Sequence, residues 1–247
     1  MVLIVGTPQG RQTAMAQTVL PKLRTIAVEL GFGLEQVGVT GATMTGTADV
    51  LAKLQMSHAQ TLLFFDVNAA ARRIETLPWV AKAEMTRRFP GELHVEIQER
   101  VPFALWQMSN GLYLIDSQGR TLGRTNDRAA PNLPRVSGTG AAYEAGHLMT
   151  VLALYPDVVS RLRVAERIGG RRWRLMLKNG SAIDLPSGGE ARALGTYASH
   201  PMLAGVIDQP DAIVDLRLHD RIVVRRTNGK TAVMRPIPGA TGAHRGG

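Results

Sequence analysis

Apolar and polar residues alternate with a period of two over two neighbouring stretches: Ala81, Ala83 and Met85 against Lys82, Glu84 and Thr86, then Leu93, Val95 and Ile97 against His94, Glu96 and Gln98. A two-residue period marks strands with one buried face, and Phe89-Pro90-Gly91 between them supplies a turn. Upstream the period changes. Val50, Leu51 and Leu54 follow helical spacing after Thr47, which predicts a helix over about 48–55 with Thr47 as its N-cap. A second helix is predicted from Val67 to Leu77, capped by Asp66 and stopped by Pro78. Leu34, Val37 and Val39 run to a Thr40-Gly41 turn as a first short strand. The resulting order is β-α-α-β-β, ending near Glu99, with two helices laid on one face of a three-stranded sheet.

Beyond Arg100 the chain reads mostly as strand. Ala104 to Met108 and Leu112 to Ile115 flank a Ser109-Asn110-Gly111 turn, and 116–119 leads into a further extended piece. Pro131, Pro134, Gly138 and Gly140 mark a loop. Residues 141–155 form the clearest helix of this half, with Leu148, Val151, Leu152 and Tyr155 on one side and Pro156 just beyond. Strands are predicted at 162–168, 172–178 and 182–185, with Asn179-Gly180 as a hairpin turn. Helices near 189–198 and 202–207 and strands near 212–218 and 221–227 follow. Asn228-Gly229 then turns the chain into a final strand reaching Met234. The pattern divides into two modules joined near Arg100, without repeats. Residues 11–30 add helical spacing interrupted by Pro21, and 236–247 has the composition of a disordered end. The apolar start, Met1 to Val5, is too short for a signal-peptide core or a transmembrane helix. It fits equally a soluble N-terminus and the tail of a longer apolar segment.

At 247 residues, with 45% hydrophobic and 20% charged positions, the chain can bury a substantial core and is not a disordered one. It has no cysteine, which excludes disulfides and thiolate chemistry but leaves the compartment open. The formal charge of +9 would favour acidic surfaces, anionic lipid or nucleic acid. The basic residues are interspersed through strand patterns such as Arg171-Arg172-Trp173-Arg174 and no aromatic series accompanies them, so nucleic acid is not an expected partner.

Catalytic chemistry is hard to find. The six histidines include no pair at zinc-ligand spacing. Gly138-Thr139-Gly140 lacks the third glycine of a dinucleotide fingerprint, and Gly6 to Arg11 lacks the spacing and lysine of a phosphate loop. Glu96 and Glu99 lie on opposite sides of a strand, so they are no carboxylate pair, and Asp215 and Asp220 could meet only through tertiary structure. No enzyme class, cofactor or metal is expected. The prominent residues look architectural: Trp79 seating a helix–strand corner in a core, Pro90 with Gly91 making a turn, Arg100 and Pro102 at the junction, and Trp106 and Trp173 as core anchors within alternating strands.

The run Ile74-Glu75-Thr76-Leu77-Pro78-Trp79-Val80, then Ala83, Arg87, Arg88, Phe89-Pro90, Leu93 and Glu99-Arg100-Val101-Pro102-Phe103-Ala104-Leu105-Trp106, resembles the FtsQ/DivIB family of bacterial cell-division proteins. Leu114 to Gly119, Leu133-Pro134, Arg171-Arg172-Trp173 and Val214-Asp215-Leu216-Arg217 extend the resemblance over roughly 34–226, and the basic, Trp-containing variants look alphaproteobacterial. The resemblance implies an α+β chain: an N-terminal helical, juxtamembrane segment over 1–31, a POTRA domain over 32–100, a mostly antiparallel FtsQ-type β domain with flanking helices over 101–235, and a tail over 236–247.

It also implies a non-enzymatic scaffold that links early and late divisome proteins through periplasmic contacts, with FtsB and FtsL as partners. The family setting is the inner membrane, single-pass type II, with the domains in the periplasm and enriched at the septum. A partner strand adds to an edge of the family's β domain, and alignment through Val214 to Arg217 transfers its contacts. Leu218 stands at a partner-contacting Tyr, Asp220 at a nearby Ser, Arg226 at an interface Trp, and Arg192 at a basic residue that pairs with an acidic partner group. Val223 and Arg225 fall on the expected edge, while Arg87 and Arg88 offer a surface on the POTRA side. The competing reading is a POTRA-type peptide-handling factor in protein export or outer-membrane assembly.

Overall fold

The computed structural model describes residues 34–55, 62–126, 128–226 and 231–235. The helix expected over 11–30 and the tail at 236–247 lie outside the described residues. The chain divides into two compact units between Arg100 and Val101.

The first unit runs β1 (Gln36–Thr40), α1 (Thr47–Leu54), a short 3-10 turn (Leu62–Phe64), α2 (Val67–Ile74), β2 (Val80–Arg88) and β3 (Glu92–Glu99). Its sheet has the order β1-β3-β2, with β1 parallel and β2 antiparallel to the central strand. Val50, Leu54, Leu62, Ala70 and Ile74 pack against Val80, Ala83, Leu93, Val95 and Ile97. Ala83 and the three β3 residues hold the alternating positions of the sequence, whereas a register shift between Val80 and Lys82 puts Val80 in the core and leaves Ala81, expected on the buried face, exposed. Asp66 caps α2 by accepting the Ala69 N–H at 2.9 Å. Arg73 closes α1 from the side, donating Nε to the Lys53 carbonyl at 3.0 Å and Nη2 to that of Leu54 at 2.8 Å.

Three local expectations change. Helix α2 stops at Ile74 rather than Leu77, because residues 75–77 are spent on turning: the Leu77 N–H reaches the Ile74 carbonyl at 2.9 Å, and Glu75 Oε1 accepts from Ala83 on β2. Pro78 moreover disfavours helix at Leu77. Gly46, not Thr47, is the N-cap of α1, and its carbonyl takes the first helical amides. Trp79 is half-buried and does not pack on the core, where Leu77 and Val80 stand instead. Its contribution is backbone: its carbonyl accepts the Arg100 N–H at 2.7 Å and ties down the end of β3. The Phe89–Pro90 bond in the β2–β3 turn is cis.

The second unit is a ten-stranded sheet with four helices. Its elements are β4 (Ala104–Met108), β5 (Gly111–Ile115), β6 (Thr121–Thr125), β7 (Arg135–Ser137), α3 (Ala141–Leu152), α4 (Pro156–Arg161), β8 (Leu162–Ile168), β9 (Arg172–Leu177), β10 (Ala182–Asp184), α5 (Glu190–Ala198), α6 (Pro201–Ile207), β11 (Ala212–Asp215), β12 (Ile222–Arg226) and β13 (Thr231–Met234). The strand order is β13-β12-β11-β10-β9-β8-β7-β4-β5-β6. The β4–β7, β7–β8 and β10–β11 pairs are parallel and the others antiparallel, which gives the α+β class.

Strand β7 falls where a loop was expected, and it joins the two halves of the sheet. Gly138 ends it at φ +93, and a Cβ there would lie 2.3 Å from the Arg167 carbonyl oxygen on β8, so glycine is required. The helix expected over 141–155 ends at Leu152, and a separate short helix follows it. Pro156 cannot continue α3, and it begins α4 with Tyr155 as N-cap. Trp173 is buried in the main core, with the Arg167 guanidinium 5.7 Å from its ring centroid, and Trp106 packs against the same core half-exposed.

Candidate partner-binding site

The site begins where β11 ends. Ile183 and Val214 point into the core, so Asp184 and Asp215, next to them in the parallel register, lie on the opposite face. Both carboxylates are nonetheless buried, because arginines cover them. Arg174 holds Asp184 through Nε at 2.6 Å and Nη2 at 2.9 Å. Asp215 accepts the Arg217 amide at 3.1 Å, the Arg217 Nε at 2.7 Å, and Arg225 Nη2 from β12 at 2.9 Å. Burial pushes the Asp215 carboxyl up, but the Arg217 hydrogen bonds and the Arg225 charge outweigh it and hold it below the usual range.

This chelation bends the chain out of the sheet. Leu216 stays buried, donating its N–H to the Asp184 carbonyl at 2.9 Å, whereas Leu218, His219 and Asp220 project outward before the chain returns at Ile222. Opposite this turn stands α5, entered through Gly188 and Gly189, both at positive φ, and presenting Arg192, Ala193 and Thr196. Between the two lies an open cleft of about 160 Å³ with Leu216, Ile222 and Ala193 in its wall and Leu218, His219 and Arg192 also lining it. Leu218 is 51% exposed, and Arg192 is exposed with no ion pair among the described residues. An apolar side chain fits the wall, and an acidic group beside it would meet Arg192.

The structure thus brings two of the expected residues, Arg192 and Leu218, to one site. Asp220 lies beyond the cleft lining, its carboxylate held by Arg221 at 2.7 Å; that hydrogen bond is the main cause lowering its pKa. Val223, Arg225 and Arg226 do not lie on an edge. β12 pairs with β11 on one side and with β13 on the other, so the expected edge is an interior strand. Arg225 is moreover committed to Asp215, and Arg226 is half-buried opposite Ala212. Sequence reasoning missed His219, Thr196 and the Pro186–Gly189 wall; the tandem glycine ahead of α5 was the available signal. Among the described residues no group of three His, Asp or Glu could hold a metal ion.

A family model for the FtsQ-type POTRA domain matches residues 32–100, and one for the C-terminal region of cell division protein FtsQ/DivIB matches 104–225. Cell division protein FtsQ of Caulobacter vibrioides is 32% identical over 213 residues, covering 86% of this chain and 70% of the relative. The chain belongs to the FtsQ family of bacterial cell-division proteins. FtsQ of Rhizobium meliloti is 33% identical over 197 residues, covering 80% of this chain and 64% of the relative. The FtsQ of Rhizobium radiobacter is 32% identical over 185 residues, with coverage of 75% and 88%. The chain spans less than two thirds of the Rhizobium meliloti and Agrobacterium fabrum proteins, 64% and 63% of their lengths.

The residues that carry the FtsQ resemblance are largely explained by folding. Glu99 accepts the amides of Thr43, Met44 and Thr45 and so organises the β1–α1 loop. Asp116 takes the amides of Gln118 and Arg120 at 2.9 and 2.8 Å and shapes the β5–β6 turn. Asp215 and Arg217 build the bend that exposes Leu218. No helix among the described residues is long and apolar enough to cross a membrane.

Proposed function

We propose that this protein is a non-enzymatic division scaffold that links early and late divisome proteins through periplasmic contacts, with FtsB and FtsL as partners. The observation that carries the reading is the convergence of Arg192 and Leu218, from separate elements, on one open cleft. A partner's apolar side chain enters between Ala193, Leu216 and Ile222, and a partner carboxylate beside it meets Arg192. The apolar anchor supplies affinity, and the charge tunes specificity and association rate. The lining contains no carboxylate and so offers no carboxylate–carboxylate or carboxylate–histidine pair for acid–base work. The same reading takes the family setting: inner membrane, single-pass type II, both units on the periplasmic side and enriched at the septum.

The test is calorimetric titration of the chain with the periplasmic segment of the same organism's FtsB, with and without FtsL. Saturable binding is expected, weakened about tenfold or more by Arg192→Glu or Leu218→Arg. Leu218 is 51% exposed, so its variant should melt like the parent. A folded chain that binds neither arrangement would overturn the reading.

A further inference from the structure

The sheet of the second unit is incomplete at one end. Strand β7 meets β4 only from Arg135 onward, opposite Leu105, and meets β8 only at Val136 and Ser137, opposite Ala165 and Glu166. Pro134 has no N–H to extend the ladder. Ahead of that point β4 and β8 stand two strand spacings apart, about 10 Å. A groove of about 780 Å³ opens there, several times the volume of the cleft beside α5 and sharing no lining residue with it. Leu105, Leu133, Met149 and Leu152 line it, Leu105 and Leu152 being buried, and Val159 on α4 forms a side of it at 43% exposure. The lining contains no carboxylate. Arg163 on β8 and Lys178 after β9 also line the groove; both are exposed, and neither has an ion pair among the described residues. Lys178 Nζ donates to the Ser160 carbonyl at 2.7 Å, which fixes the ammonium beside the end of α4 and leaves two of its three hydrogens for a ligand.

We propose that this groove is a second docking site, and that its occupant is an acidic amphipathic helix of a partner protein. The proposal goes beyond the cleft reading and does not depend on it. Pro131 and Pro134 in the wall offer no N–H, so an occupant that satisfies its own backbone suits the groove better than an added strand. A row of apolar side chains at i, i+3, i+4 and i+7 enters the groove, and carboxylates on the flank of the same helix meet Arg163 and Lys178. The apolar lining is recessed, with Leu105 and Leu152 buried, so a ridge of side chains reaches it and a flat bilayer surface does not. Other parts of this chain match the charge poorly: 1–33 and 236–247 bring Arg11, Lys22, Arg24 and Arg245 against the single acid Glu29. A second copy would bring the same net charge of +9.

The probe is a synthetic helix with leucine at i, i+3, i+4 and i+7 and glutamate at the flanking positions, titrated with the full chain and read by fluorescence anisotropy. Saturable binding is expected, falling with added salt and weakened about tenfold or more by Arg163→Glu with Lys178→Glu, or by Val159→Glu. All three positions are exposed, so these variants should melt like the parent. The same peptide with lysine for glutamate should bind at least tenfold more weakly. A saturating FtsB segment should leave the acidic peptide bound. Its displacement would put the peptide in the cleft, and the groove proposal would fall while the cleft reading stands. No binding by the parent, or equal binding by parent and groove variants, would overturn the proposal. Two further results would reassign the groove and overturn it as well: vesicles of anionic phospholipid that compete the peptide away, or a dimer in sedimentation that the charge reversal dissociates. Peptide binding with these properties in a chain that binds no FtsB segment would leave the groove standing and remove the cleft reading.

Discussion

Replacing Glu99 tests whether one carboxylate organises the whole β1–α1 loop of the first unit. Its Oε1 accepts the amides of Thr43, Met44 and Thr45 at 3.1, 2.8 and 2.6 Å, and its Oε2 takes that of Met44 at 3.0 Å. Hydrogen bonds to a charged acceptor contribute about 1.5–3 kcal/mol each, but water can replace those at exposed Thr43 and Met44. Thr45 is buried, and its amide would lose its acceptor. Glu99→Ala should therefore cost about 2–3 kcal/mol. Glu99→Gln, which keeps one neutral acceptor, should cost about half as much.

The assay is amide exchange through a urea series, read separately on β1–β3 and on β8–β9. The first set should lose protection while the second keeps it. Desolvation pushes the Glu99 carboxyl up, but the amides of Met44, Thr45 and Thr43 outweigh it and hold the group below the ordinary glutamate range. With the folded value below the unfolded one, the stabilisation is present above the unfolded pKa of about 4.3 and lost as pH falls through the folded value. The gap between parent and Glu99→Gln should therefore close in that acidic window. Unchanged exchange at β1–β3, or an equal loss in both units, would refute the reasoning.

Other substitutions probe the second unit. Asp215→Asn leaves Arg217 and Arg225 over a neutral group and should lower the unit's stability by about 2–3 kcal/mol in thermal unfolding; the partial exposure of both arginines keeps the cost below that of a fully buried pair. Gly138→Ala must place a Cβ against the Arg167 carbonyl at positive φ, and should cost about 2–3 kcal/mol by urea unfolding. Asp220→Ala removes a pair whose side chains are 65% and 52% exposed, so the melting midpoint should not move.

What the residues revealed in advance depended on whether a signal was local. The period-two runs around Phe89-Pro90 set the β2–β3 hairpin, since their alternation maps directly onto Leu93, Val95 and Ile97 in the core. Strand β7 was illegible because its three residues sit between Pro134 and Gly138, and it is held by partners on β4 and β8 rather than by its own pattern. Pro156 was correctly a boundary, but a boundary between two helices. The misplaced edge had a different origin. Asn228-Gly229 already predicted a hairpin into a strand ending at Met234, and following that hairpin would have covered β12 with β13. The edge implied for Val223 and Arg225 comes from the family resemblance, which does not carry this chain's own hairpin. Of the interface residues, Arg192 and Leu218 meet because Asp215 and Arg217 bend the chain toward α5, a long-range arrangement no spacing encodes.

The central claim is that partners engage the cleft between α5 and the 216–222 turn. Amide exchange of the full chain with and without the FtsB segment tests it most directly. The account predicts slower exchange at 188–196 and 216–222. Protection confined to β2 of the first unit, with 188–226 unchanged in a saturated complex, would contradict it.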